Sequence, residues 1–224
     1  MSKNILVLHG MYQSGDIFRY NCSNLRYILK NYATLHFMTA TIPYKNDYSD
    51  VIDLYGWWEN DDDYTGSEQS IQQIQKAFDD YGPFDGVIGF SQGAMINTIL
   101  CALKNNNQEN YKWFSPKFII NICGGDIDCS KYNHLFSDPI DIPSLHIVGE
   151  YDQLKDSSID LSTAFKNPTV KIYQSDHEIP NQNNFYKDIV EFISLHDHFD
   201  TPSNYDIDIE HIDDQLDKDF FYRL

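Results

Sequence analysis

The chain has 224 residues, enough for one sizeable hydrophobic core and short for two. Its 42% hydrophobic and 15% aromatic content is too rich for a wholly disordered polymer. Sixteen Lys and Arg against 34 Asp and Glu give a formal charge of −18, which repels phosphate backbones and anionic lipid and so argues against nucleic acid or a membrane surface as partner.

Taken in chain order, short apolar runs alternate with segments of helical period. Residues 4–9 are a compact apolar run, predicted as a buried strand and too short to serve as a secretory leader. Residues 17–32 carry Phe18, Leu25, Ile28 and Leu29 at helical spacing, and residues 33–39 form a second strand. Residues 44–64 are long, acidic and aromatic, with Trp57 and Trp58 adjacent, and a loop of this length is expected to be functional or disordered. Ile71, Ile74 and Phe78 mark a helix over 65–80, with Thr65 and Glu68 spaced as a capping box and Gly82-Pro83 as its stop.

A strand follows at 85–90 and a helix at 92–104, then strands at 118–123 and 145–148. A helix is expected at 157–165, a short strand at 170–173 and a last helix at 184–196. Such alternation implies an α/β fold with a mostly parallel central sheet and helices on both faces. One compact domain is expected over 1–198, with no separate lid. Residues 199–224 carry seven Asp and one Glu against one Lys and one Arg, and read as an acidic C-terminal extension. No run approaches the roughly 18 apolar residues that span a bilayer. Cys22, Cys101, Cys123 and Cys129 have neither zinc-site nor redox-pair spacing; Cys101 and Cys123 lie in apolar runs and read as buried free thiols, which points to a reducing, cytoplasmic setting.

The segment Gly89-Phe90-Ser91-Gln92-Gly93 has the pattern G-x-S-x-G and sits between a predicted strand and a predicted helix. That turn is too tight for a Cβ at its flanks, so glycine occupies them, and it pushes the Ser91 hydroxyl out at the end of the sheet. A serine hydroxyl is a weak nucleophile without a base. Among eight histidines, His177 lies on the loop between the last predicted strand and helix, where the base of such a fold belongs. His146 falls inside a strand and reads as core.

The acid is expected directly after the strand ending at Gly149. Asp152 is the first choice and Glu150 the second, while Asp126 and Asp128 follow an earlier strand and are weaker candidates. An oxyanion hole needs two donors, predicted as the amides of Gln92 and of Met11 in the turn after the first strand. Tyr12, Trp57, Trp58 and Phe90 are candidates for an apolar acyl pocket, walled by residues 44–64 and 124–142.

Several stretches together give the chain a resemblance to the FSH family of serine hydrolases, a compact branch of the α/β-hydrolase fold. They are Leu8-His9-Gly10 with Gln13 and Gly15, Trp57-Trp58, the block from Gly82 to Ala94, Ile147-Val148-Gly149-Glu150-Tyr151-Asp152, and His177 before Pro180. The resemblance implies an esterase-type hydrolase using Ser91, Asp152 and His177, with a small-molecule ester as substrate and no metal or other cofactor. Asp176 stands where the family usually has glycine before the base. An acyl thioesterase is the alternative reaction. A non-catalytic interaction protein on the same scaffold is the alternative class.

Overall fold

The computed structural model describes residues 3–44, 54–59, 61–107 and 109–197. Among them a six-stranded sheet runs in the order β2-β1-β5-β6-β7-β8, every neighbouring pair parallel. The strands are β1 (Lys3–Leu8), β2 (Ala33–Met38), β5 (Gly86–Phe90), β6 (Phe118–Ile122), β7 (Ser144–Gly149) and β8 (Thr169–Tyr173). Two short strands, β3 (Ile42–Tyr44) and β4 (Leu54–Gly56), pair antiparallel as a separate ribbon. The helices are α1 (Gly15–Asn21), α2 (Ser23–Leu29), α3 (Ser67–Tyr81), α4 (Gln92–Asn106), α5 (Lys155–Ser162) and α6 (Asn183–Asp197).

Alternation along the strands splits the core into two layers. In β1, Ile5 and Val7 face a cluster with Phe18, Leu25 and Leu29 of α1 and α2 and Phe185 and Ile189 of α6. Leu6 and Leu8 face the opposite cluster, with Ile71, Ile74 and Phe78 of α3 and Ile96, Ile99 and Leu100 of α4. A strand buried on both faces must be apolar at successive positions, and the central strands β5 and β6 are buried at all five positions each. No helix among the described residues is long and apolar enough to cross a membrane.

The structure departs from the sequence expectations in places. The helix expected over 17–32 is two helices, because the backbone leaves helical geometry at buried Cys22 (φ −91°, ψ 20°). That break keeps Phe18 of α1 and Leu25, Ile28 and Leu29 of α2 on the same cluster. The capping box before α3 does not form. Gly66, at φ 90°, is the cap residue, Thr65 turns its hydroxyl to Asp63 (2.7 Å), and Glu68 is paired with Lys131. The ends of the 44–64 stretch form the β3–β4 ribbon, and residues 45–53 and 60 lie outside the described residues, as does the acidic stretch 199–224.

Candidate active site

The site forms where the strands end at their carboxyl edge. Ser91 follows β5 at φ 52°, ψ −120°, a backbone state that a side chain rarely adopts, and opens α4. Its flanking glycines are sterically required. A Cβ on Gly93 would lie 2.3 Å from the Leu8 carbonyl oxygen, and one on Gly89 would lie 2.4 Å from that of Gly93. The close approach of α4 to the end of β1 brings the β1 turn against Ser91. A Cβ on Gly10 would lie 3.1 Å from that of Ser91.

The structure brings Ser91, His177 and Asp152 together. His177 Nε2 is 2.9 Å from Ser91 Oγ, and His177 Nδ1 is 2.8 Å from Asp152 Oδ2. The carboxylate can only accept, so Nδ1 carries the proton and Nε2 is left to accept from the serine hydroxyl. The Asp152 side chain is fully buried, and its other oxygen accepts the Leu154 amide at 2.8 Å. The turn of Asp152 and the loop of His177 are joined by backbone bonds from Glu150 N to Tyr173 O (2.7 Å) and Tyr151 N to Ser175 O (3.0 Å). Gly149 makes this proximity possible, since a Cβ there would sit 2.5 Å from the Asp176 carbonyl oxygen.

The other carboxylates are elsewhere. Glu150 pairs with Lys155 (2.8 Å), Asp126 accepts the Ser157 hydroxyl (2.9 Å), and Asp128 is exposed. Asp176 is exposed beside the base and is not between His177 and either of its partners.

Met11 follows Gly10 in the β1 turn and Gln92 follows Ser91 at the first position of α4, and among the described residues neither amide N–H has a backbone partner. The turn is held by side chains that the sequence did not single out as supports. Gly10 N–H donates to Gln13 Oε1 (3.0 Å). Buried His9 donates from Nδ1 to the Gly10 carbonyl (2.6 Å) and accepts the Ala40 amide at Nε2 (3.0 Å). Gln92 accepts the Trp57 amide at Oε1 (2.7 Å), tying α4 to the segment after β4.

Trp57 and Trp58, expected as pocket walls, have no exposed surface at all. The Trp57 indole N–H donates to the His9 carbonyl (2.8 Å), and Trp58 stacks on Tyr64 with ring centroids 4.2 Å apart. Both back the site from within the core instead of lining it. Phe90 is nearly buried, its ring 5.1 Å from that of His177. Tyr12 is 55% exposed and packs on Tyr44, so it is the one expected pocket residue that presents a broad face to solvent.

Among the described residues, the grouping of three His, Cys or carboxylate donors close enough to hold a metal is Cys123, Asp152 and His177, whose ligand atoms lie within 4.8 Å of one another. Its carboxylate and imidazole already bond each other.

Burial pushes His9 down to about 4, against the opposing pull of its bond to the Gly10 carbonyl, and burial pushes His146 in β7 down to about 3. Both are neutral in the folded protein and ready to charge when it unfolds, so their contribution is complete above the unfolded value near 6.5 and is lost as pH falls toward 4. The expected loss at pH 4 is on the order of 3 kcal/mol for each. Melting temperature measured from pH 7 to pH 4 should fall across this window, and His146→Leu should make the fall shallower. An unchanged slope in that variant would show that His146 does not carry it.

The pattern of the family described as Serine hydrolase (FSH1) matches residues 1–189. Esterase OVCA2 of Danio rerio is 32% identical over 207 residues, covering 79% of this chain and 89% of that protein. Family of serine hydrolases 2 of Saccharomyces cerevisiae is 27% identical over 221 residues, covering 86% and 98%. Among solved structures, Arabidopsis thaliana SOBER1 superposes with a TM-score of 0.62 at 18% identity, over 88% of this chain and 99% of that one, a likeness of fold.

Proposed function

Because the chain belongs to the serine hydrolase (FSH1) family and is a serine esterase, we propose that it cleaves carboxylic esters of short to medium acyl length through an acyl-enzyme built on Ser91, His177 and Asp152. The observation that carries this reading is the unbroken run of hydrogen bonds from Ser91 Oγ through His177 to buried Asp152.

Ser91 Oγ attacks the ester carbonyl while His177 Nε2 takes its proton. Asp152 holds the imidazole in the required tautomer and offsets the charge that the proton brings. The amides of Met11 and Gln92 receive the oxygen that becomes negative, and the positive end of the α4 dipole adds to their effect. His177 then protonates the leaving alkoxide, so the alcohol departs and the acyl group stays on Ser91. Water, deprotonated by the same imidazole, attacks the acyl carbonyl; the bond to Ser91 Oγ breaks, the carboxylic acid departs, and His177 returns the proton to Oγ.

The exposed ring of Tyr12, packed on Tyr44, is the apolar surface offered to the acyl chain. The net charge of −18 weighs against strongly anionic acyl donors.

A fluorophosphonate probe tests the reading directly. Intact-mass analysis should show one adduct per chain, and peptide mapping should locate it on Ser91. Absence of labelling in folded protein, or an adduct on another residue, would overturn the assignment.

A further inference from the structure

Cys123 follows β6 directly and is completely buried. Its φ of 50° lies in the left-handed region, a state that is strained for a non-glycine residue and persists only where the surroundings impose it. The amide of Cys123 is bonded to the Ile147 carbonyl of β7 (2.9 Å), which fixes the residue beside the strand that leads to Asp152. From there Cys123 Sγ reaches the Glu178 carbonyl at 3.6 Å, on the loop of the base. The sulfur also shares a cluster within 4.8 Å with the Asp152 carboxylate and the His177 ring. The thiol thus bonds the loop of His177 at Glu178, and the carboxylate of Asp152, on the neighbouring turn, lies beside the same sulfur.

We propose that Cys123 is a positioning residue, whose thiol donates to the Glu178 carbonyl and the Asp152 carboxylate and so fixes the acid relative to the base loop. This rests on the reading of Ser91, His177 and Asp152 given above. Burial first, and then the negative charge of Asp152, pushes the thiol up to about 12, so it stays protonated and serves as a donor, not as a thiolate ligand or nucleophile. A donor on the acid draws off some of its charge. Removing the donor leaves Asp152 more basic and makes imidazolium formation at His177 easier. The other charged groups around the imidazole are Asp176 and Glu178 on its own loop, both exposed, and Glu150, held by Lys155.

The test compares Cys123→Ala, Cys123→Ser and wild type in ester hydrolysis, with a kcat and KM split, a pH profile of kcat/KM and a melting temperature for each. The Ala variant should lose about three- to tenfold in kcat with KM unchanged, as expected for one weak hydrogen bond. Its acidic limb should move upward by about half a pH unit. The Ser variant, which keeps a donor, should return both values toward wild type. If the Ala variant does not fold, Cys123→Gly, which suits φ 50°, carries the same expectation. A lowered melting temperature with an unmoved acidic limb would mean that Cys123 only packs, and the inference would fall. Failure of the wild-type protein to label on Ser91 would instead bring down the underlying reading, and this inference with it.

Discussion

His177→Ala should reduce kcat for ester hydrolysis by roughly 10⁶-fold, since removal of the base from a serine triad typically removes nearly all that the triad contributes. In the proposed mechanism the bond from His177 Nε2 to Ser91 Oγ (2.9 Å) is the route by which the hydroxyl loses its proton. Among the described residues, the two buried imidazoles, His9 and His146, cannot substitute. His9 is engaged at both nitrogens in the β1 turn, and His146 lies buried in β7. The remaining rate should reflect the two amides and substrate binding alone, on the order of 10³–10⁴ over water. KM should change little, because the imidazole contacts the reacting atoms and not the acyl chain. Steady-state kinetics with a chromogenic ester at pH 8 measures the loss. A variant retaining more than about a hundredth of the activity would mean that another group takes the proton.

Asp152→Asn should lower kcat by about 10⁴-fold while leaving the fold intact, and Glu150→Gln should stay within about twofold of wild type. The contrast follows from geometry. An amide at residue 152 can present its NH₂ to Nδ1, which drives the proton to Nε2 and blocks acceptance from Ser91. Glu150 has 42% of its side-chain surface exposed and its partner is Lys155, so its loss removes only a surface pair. Both variants should melt close to wild type, apart from the bond that Asp152 makes to the Leu154 amide. Equal losses in the two would indicate that the acid turn, and not one carboxylate, supports the base.

Much of this arrangement was legible in the chain because it is local. The apolar alternation of β1 and β5, the glycines flanking Ser91 and the position of His177 after β8 each follow from steric or periodic rules acting over a few residues. What escaped was set by partners distant in sequence. Cys22 interrupts α1 and α2 because the sheet beneath requires Phe18 and Leu25 on one cluster. Thr65 abandons its cap because Asp63 and Lys131 offer better partners to it and to Glu68. Trp57 and Trp58 went inward because His9, Gln92 and Tyr64 satisfy or cover them, and none of those contacts is visible from the loop's own composition. Cys123 read as a buried thiol, which it is. Its proximity to Asp152 arises only when β6 and β7 lie side by side.

The last strand of the sheet leads into the loop of His177, yet among the described residues β8 has a strand neighbour on one side only, and Thr169, Val170 and Ile172 stand open to water. Its further anchorage is to α6, through Lys171 and Tyr173 to the single carboxylate of Asp188. Ser91, by contrast, hangs from β5 in the middle of the sheet. Mild denaturation would thus fray the margin that carries the imidazole while the interior holding the hydroxyl endures, and inactivation would run ahead of melting.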